Sequence, residues 1–404
     1  MRASASFRGR NLRTARLAFG LCAAGAVLAW AVISQGLDRV RPSGPPSLSL
    51  EQPEAAWDTA AAETRRLLLK EPLSARAFSR LGQVSALKGD VAHADLMMEA
   101  AARRSLRDAP SQSWIFARAL ERGDEPAAIA AFDVLMRRRP DLFDALVPAV
   151  LDLLERQPEA RAALAARLAL SPAWRPRFMT AYSRQAGNPQ DVHAVLQALR
   201  ETSAPPSDVE MKVYMQRLLK EKSYVAAYVA WAQHQAGGRA DRLAADGGVN
   251  DGDFEDEPGL PPFGWTFRSG DGASAQRGLS AEGSGGVLRA SAVGGLARRT
   301  LAEQMLVLAP GAYQMTGRAW VRSGDPEGRF VWTLRCVGGA QLASVEEGGA
   351  SRTGWKDFSV ELLIPGGCPA QTLALQARPG ASLAPTEVDY DRLAVTRKGR
   401  SDEG

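Results

Sequence analysis

The chain has few of the residues that most often carry catalysis: its 404 residues include only three histidines and three cysteines. His93, His193 and His234 lie far apart, without a cysteine or carboxylate cluster at ligand spacing, which argues against a histidine metal site. There is no Gly-x-Ser-x-Gly motif and no glycine-rich phosphate loop that opens a helix. These absences predict a protein that is not an enzyme.

Blocks of charge of one sign are also missing. Charged residues make up 24% of the chain, and lysine and arginine are interspersed with aspartate and glutamate, giving a net charge of +5. This mixture argues against a basic stripe for nucleic acid, so we expect no nucleic-acid partner. Apolar residues make up 45% of the chain, which with its length predicts a multidomain folded protein with tails.

The first forty residues contain the one long uncharged run. Five arginines in residues 1–16 precede an uncharged stretch, 17–34, which at about 1.5 Å per residue nearly crosses a bilayer core of roughly 30 Å. We therefore predict a transmembrane helix over 17–37, a cytoplasmic basic tail over 1–16, and the remainder in the periplasm or another extracytoplasmic space of a bacterial-type inner membrane. A signal peptide cleaved near Ala31 and a lipid anchor at Cys22 are the alternatives.

Export would place the two remaining cysteines in an oxidising compartment. Cys22 lies within the apolar run, which leaves Cys336 and Cys368 as a pair that can form a disulfide. Two separate buried thiols are the alternative.

A helical half follows a Pro- and Ser-rich linker over 38–53. From 54 to 236 the apolar residues recur at helical spacing. Three stretches can be superposed, "LKGDVAHADLMMEA", "LERGDEPAAIAAFDVLM" and "LKEKSYVAAYVAWAQHQ", and Gly89 and Gly123 are 34 residues apart. Together with Leu81-Gly82 and Ala94, this pattern resembles the tetratricopeptide repeat, a solenoid of helix pairs. The resemblance implies a groove for a protein partner; a spacer that holds the second half away from the membrane is the alternative.

The pattern changes to period two after a second linker, 237–248. Residues 249–397 alternate apolar and polar side chains between Gly and Pro turns, which predicts an all-β sandwich, followed by a tail over 398–404. We expect nine strands, near "GWTFR", "GVLRASA", "ARRTLAEQMLVL", "AYQMTGRAWVR", "RFVWTLRCV", "QLASVE", "KDFSVELLIP", "QTLALQARP" and "EVDYDRLAVTR".

This half resembles jelly-roll carbohydrate-binding modules of the galactose-binding-like type. The landmarks are "VNDGDFEDE" with "PFGWTF", "QMLVLAPGAYQMTGRAWVRS" and "VDYDRLAV", in the expected order. The resemblance implies a jelly roll, sugar binding, and a structural calcium ion that staples the terminal strands. Asp253, Glu255 and Asp391 are the candidate calcium ligands; the alternative is that they cap turns and face water.

Alternation also predicts a sugar-binding face. Trp320 falls on the polar side of its strand, and an aromatic plane beside charged and amide groups suits a pyranose ring. If the outward faces share one sheet, the ligand-binding residues are Arg318, Trp320, Arg335, Glu361 and Gln376. The alternative is a tryptophan covered by a loop among cross-strand polar pairs.

These patterns together predict a membrane-anchored, exported, non-enzymatic adaptor. Its helical repeats would bind a partner protein and its sandwich a polysaccharide, in envelope or exopolysaccharide assembly. A protein scaffold whose sandwich no longer binds sugar is the alternative. A glycosidase would need two of Glu255, Glu361 and Asp391 to face each other across a cleft, which alternating flat strands do not predict.

Overall fold

The structure is a computed structural model that describes residues 48, 52–235, 248–280, 285–295, 297–378, 380–381, 383 and 385–398. The predicted basic tail and membrane anchor lie outside the described residues, as do most of the two linkers and the C-terminal tail. Among the residues that are described, no helix is both long and apolar enough to cross a bilayer. The chain divides into two compact units, one ending at Pro206 and the other beginning at Ser207.

The first unit is helical, which confirms the predicted helical region, although tetratricopeptide repeats are not shown. Its elements are α1 (Glu54–Lys70), α2 (Ala75–Leu87), α3 (Val91–Arg104), α4 (Ala109–Arg122), α5 (Glu125–Arg138), a 3₁₀ turn (Pro140–Leu142), α6 (Phe143–Arg156), α7 (Ala160–Leu168), α8 (Arg175–Gln185) and α9 (Pro189–Arg200).

Two helix connections in this unit have the same local design. Gly89 and Gly123 both have positive φ, 78° and 68°, a conformation that glycine adopts without strain. The following Asp90 and Asp124 each accept a hydrogen bond from a backbone N–H in the first turn of the next helix. The "GD" pairs 34 residues apart therefore encode the same turn between two helices.

Two aspartates tie separate helical elements together through tryptophan. Asp95 of α3 accepts a hydrogen bond from Trp114 Nε1 of α4 at 2.8 Å, and Asp133 of α5 accepts one from Trp174 Nε1 at 2.9 Å. Trp114 packs in one core cluster with alanines and Met98. Because an unpaired buried indole N–H is costly, each aspartate fixes the position of its aromatic partner.

The second unit begins with a helical pair, α10 (Asp208–Lys220) and α11 (Tyr224–His234). A capping box between Ser207 and Glu210 starts α10. Eleven strands follow: β1 (Thr266–Phe267), β2 (Ser269–Gly270), β3 (Ala273–Leu279), β4 (Gly286–Ala292), β5 (Arg299–Leu306), β6 (Gly311–Ser323), β7 (Arg329–Cys336), β8 (Gln341–Gly348), β9 (Lys356–Ile364), β10 (Gln371–Arg378) and β11 (Thr386–Arg397).

These strands form two antiparallel sheets. Sheet A has the order β1-β5-β10-β7-β8, and sheet B has the order β2-β3-β4-β11-β6-β9. The core between them contains Trp265 and Trp332, which pack edge to face at 5.8 Å, and Trp332 packs in the same way against Tyr390 of sheet B at 5.6 Å. The predicted β-sandwich is confirmed, because inward side chains of both sheets share one apolar core.

The end of β7 is linked covalently to the connection between β9 and β10. Cys336 and Cys368 form a disulfide with their Cα atoms 5.4 Å apart. Cys368 is buried, and its carbonyl accepts a hydrogen bond from Gln371 Nε2 at 3.0 Å. The disulfide therefore lies at the edge of the core, where it holds the turn before β10.

Candidate functional site

The five predicted ligand residues do not lie together. Arg318 and Trp320 are on β6 and Glu361 is on β9, all in sheet B, whereas Arg335 is on β7 and Gln376 on β10, in sheet A. The outward faces of two packed sheets point in opposite directions. The prediction of one five-residue site is therefore wrong, because alternation assigns a side chain to a face of its strand but not to one of the two sheets.

The part of that prediction that concerns Trp320 still applies to the outward face of sheet B. Along β6, the odd-numbered residues from Tyr313 to Val321 face the core, while the even-numbered residues point outward. The outward row is Gln314, Thr316, Arg318, Trp320 and Arg322. It gives sheet B a partly exposed tryptophan among polar side chains.

Buried carboxylates on β11 hold the guanidinium groups of this face. Asp389, which is fully buried, accepts hydrogen bonds from Arg289 Nε at 2.8 Å and from Arg322 Nη1 at 3.3 Å. Asp391 accepts one from Arg318 Nε at 2.9 Å. The hydrogen bond to Asp389 raises the pKa of Arg289, although desolvation opposes it. The guanidinium groups are thus fixed in place before any ligand arrives.

Two indole rings lie on this layer of ion pairs, and we call Trp320 and Trp355 the aromatic ledge. Their ring centroids are 6.0 Å apart with an interplanar angle of 65°. Arg318 Cζ lies 4.4 Å from the centroid of Trp355, and Arg322 Cζ lies 5.4 Å from that of Trp320. Both indoles are partly exposed, so the ledge presents apolar surface at a polar face.

The connection between β8 and β9 fixes the orientation of Trp320. Trp320 Nε1 donates a hydrogen bond to the carbonyl of Arg352 at 2.9 Å, and the N–H of Arg352 donates one to Val321 at 3.0 Å. Arg352 Nη2 also bonds to the buried carboxylate of Glu347 at 2.8 Å. The connection therefore pairs with the end of β6 and holds the indole by its polar edge.

A shallow cavity of about 380 Å³ lies farther along the same face, and we call it the polar depression. It is lined by Gln314, Thr316, Gly317, Asp357, Phe358, Ser359 and Arg392. Gln314 Nε2 donates to Ser359 Oγ at 2.7 Å, which fixes one side of the wall. Because Asp357 pairs with Arg318 in the register of β9 and β6, the polar depression borders the aromatic ledge.

Arg392 reaches this depression because β11 contains a bulge. The register of β11 against β6 shifts between Asp391 and Ala394, and Arg392 has a φ of +52°, which is uncommon for a residue other than glycine. Its N–H donates to Asp391 Oδ1 at 2.6 Å, while its side chain is exposed. The sequence carries a signal for this bulge, because apolar residues are two apart except between Tyr390 and Leu393, which are three apart.

The predicted calcium ligands have different surroundings. Asp391 is bonded to Arg318 and to the N–H of Arg392, while Asp253 and Glu255 are exposed in the turn before β1. Across the residues that the structure describes, no three histidine, cysteine or acidic side chains form a metal-binding group. Calcium binding at these three positions stays a prediction.

The first unit has a separate concave surface. A groove of about 720 Å³ is lined by Glu99, Ala102, Arg103, Arg104, Ser105, Leu106, Gln112, Ile115, Ala127, Ala130, Ala131 and Val134. Small side chains of α5 form part of its wall, and Leu106 at one end is 60% exposed. Alanines at this spacing allow another backbone to approach a helix closely.

No known protein-family profile matches the chain, and no curated protein matches it. Solved structures with a similar fold include a CBM4 module, at 15% identity and a TM-score of 0.28 over 37% of this chain and 99% of that one. Another is TmCBM61 in complex with β-1,4-galactotriose, at 16% identity and a TM-score of 0.27 over 38% and 96% of the two chains. A third is the C-terminal family 22 carbohydrate-binding module of Clostridium thermocellum Xyn10B, at 16% identity and a TM-score of 0.28 over 38% and 97%. These three structures are carbohydrate-binding modules, and likeness at this level of identity shows a β-sandwich fold alone.

Proposed function

We propose that the chain is a non-enzymatic adaptor whose sandwich binds a polysaccharide along the outward face of sheet B. One observation carries this proposal: the partly exposed aromatic ledge, Trp320 and Trp355, beside guanidinium groups that buried aspartates hold in place. An indole ring offers an apolar plane to a pyranose, and fixed guanidinium groups donate to its hydroxyls. Binding by such a face requires no acid or base.

The side chains around the ledge are already fixed in place, which lowers the free-energy cost of binding a ligand. Asp389 and Asp391 already neutralise the charges of the arginines and hold their side chains. These side chains therefore need to move little when a neutral ligand binds. Trp320 Nε1 already donates a hydrogen bond to the Arg352 carbonyl, so the ring cannot rotate without losing that bond. A rigid aromatic surface reduces the entropy cost of holding a sugar.

A glycan array with the full chain tests this proposal, followed by titration of the bound glycan against variants. Trp320→Ala should weaken binding by about tenfold or more, and Trp320→Phe should retain most of it. Arg335→Ala and Gln376→Ala, on the opposite sheet, serve as matched controls that should leave binding unchanged. Absence of binding to every glycan, or binding that Trp320→Ala leaves intact, would refute the proposal.

The groove of the first unit supports a second role, binding a partner protein through an extended or helical peptide. Its alanine wall and the exposed Leu106 suit an apolar segment. Ala130→Trp should fill the groove and abolish capture of a partner by the full chain without changing glycan binding. A partner that still binds this variant would place the protein interface elsewhere.

Anchoring and export complete the proposal and rest on the arginine-rich start and the uncharged run that follows it. An enzymatic reporter that is active only outside the cytoplasm, fused after Gly404, should be active. Activity of a cytoplasmic reporter at the same position would refute the proposed topology.

A further inference from the structure

We infer that Arg392 and Asp357 form a clamp for an uncharged sugar unit in the polar depression, next to the unit on the aromatic ledge. The inference rests on the proposed polysaccharide binding and deepens it, because it names a second contact site and the charge class of the ligand. The clamp would use one charged donor and one charged acceptor on opposite walls of one cavity.

The first support is the bonding state of the Arg392 and Asp357 side chains. In the portion of the chain that the structure describes, Arg392 has no carboxylate oxygen within 4.0 Å of its guanidinium, and neither side chain makes a hydrogen bond. The neighbouring Arg289, Arg318 and Arg322 are all bonded to aspartates. Two opposite charges that line one cavity without meeting leave room for a ligand that bridges them.

The second support is the backbone that places Arg392. A positive φ in a residue other than glycine costs of the order of 1 kcal/mol or more, and bulges commonly redirect a side chain. Here the bulge lifts Arg392 out of the alternation of β11 and turns it to the cavity floor formed by Gly317. On its core side an added Cβ at Gly317 would lie 2.5 Å from the ring of Phe358, so Gly317 lines the cavity with its backbone.

The spacing connects the clamp to the ledge. Thr316, in the depression, and Trp320, on the ledge, are four residues apart on β6, which corresponds to about 13 Å. This separation is longer than a single pyranose ring, so one linear oligosaccharide would contact both places. The ligand is therefore an oligosaccharide or polysaccharide long enough to contact both places.

The charges favour a neutral sugar over an acidic one. A guanidinium donates to hydroxyl or ring oxygens, and a carboxylate accepts from a pair of hydroxyls, so a neutral sugar satisfies both. A uronate would satisfy Arg392 but would be repelled by Asp357. Removing the negative charge of Asp357 therefore has opposite effects on the two ligand classes.

The test is calorimetric titration of the full chain with two neutral probes, cellohexaose and xylohexaose, and one acidic probe, hexagalacturonate. We expect a neutral probe to bind, and Arg392→Asn and Asp357→Asn each to weaken it by about tenfold or more. Asparagine tolerates positive φ, so the melting temperature of Arg392→Asn should not fall. Arg335→Asn, an exposed arginine on sheet A, is the matched control and should change nothing.

Three results overturn the inference in distinguishable ways. If Trp320→Ala abolishes binding and both clamp variants leave it unchanged, the proposed function survives and the clamp does not. If hexagalacturonate binds the wild-type chain more tightly than either neutral probe does, the depression takes an acidic sugar. If neither these probes nor any glycan of the array binds the wild-type chain, the proposed function fails and the clamp fails with it.

Discussion

Phe263 packs edge to face against Tyr228, with ring centroids 5.4 Å apart and an interplanar angle of 80°. Trp231 lies on the same ring at 5.8 Å, and both Phe263 and Trp231 are fully buried. These rings join α11 to the segment before β1, next to the point where the Pro262 carbonyl accepts a hydrogen bond from Met305 of β5. The last helical pair is therefore part of the unit that contains the sandwich.

This packing predicts which fragments are stable. A fragment of residues 207–404 should unfold cooperatively, whereas a fragment of 248–404 should melt at lower temperature, because it exposes Phe263. Phe263→Ala in the longer fragment should cost about 3 kcal/mol. Thermal and urea unfolding of the fragments measure both effects, and equal stability would show that the helical pair contributes nothing.

The disulfide predicts sensitivity to reductants. Cys336 and Cys368 are 32 residues apart, and closing a loop of that length restricts the unfolded chain by about 3.5 kcal/mol. Replacing both by serine should therefore lower the midpoint of urea unfolding, and dithiothreitol should lower that of the wild type but not of the variant. A wild-type midpoint that dithiothreitol leaves unchanged would contradict the predicted contribution.

Asp389 should be the most costly carboxylate to remove from sheet B. Asp389→Ala leaves Arg289 and Arg322 without their shared acceptor, and both guanidinium groups are only about a third exposed. We expect a loss of about 2 kcal/mol in urea unfolding.

Glu361→Ala provides the comparison for Asp389→Ala. It removes an ion pair between Glu361 of β9 and Lys398 in which the glutamate is 72% exposed, so it should cost less than about 0.5 kcal/mol. Equal losses for the two variants would contradict the role of Asp389 beneath the face.

The sequence predicts strands well where apolar residues alternate and poorly where they do not. β6 and β7 have bulky side chains on one face and lie where alternation puts them. β3, "ASAQRGL", was missed because small and polar residues carry no alternation signal, although its Ala273 and Ala275 are buried. Its place between β2 and β4 is set by long-range pairing, which single-strand patterns do not encode.

Individual site residues are subject to the same limit, because single-strand patterns do not encode long-range pairing. Alternation correctly places Trp320 outward, yet it cannot tell that Arg335 belongs to the other sheet, since sheet order depends on connections far apart in sequence. Arg392 was overlooked, although the three-residue step from Tyr390 to Leu393 is visible in the sequence. A break in period two therefore indicates a bulge, and the bulged residue is the one to examine for function.

The turn before β1 predicts a pH dependence of stability that is carried by Asp251. Burial raises the pKa of Asp251 to about 7, and one of its carboxylate oxygens has no hydrogen-bond partner. Between the ordinary value of 3.8 and about 7, the folded chain binds a proton that the unfolded chain has released. Stability should therefore fall as pH rises through this range, and urea unfolding at pH 5 and pH 8 measures the difference.

Asp251→Asn isolates this contribution, because asparagine resembles the protonated acid and tolerates the φ of +53°. Its amide oxygen can still accept the hydrogen bond that the N–H of Asp256 donates at 2.9 Å. The variant should be more stable than the wild type at pH 8 and close to it at pH 5, so the difference between the two pH values should shrink. A wild-type stability that rises from pH 5 to pH 8, with the same rise in Asp251→Asn, would place the pH dependence in other groups.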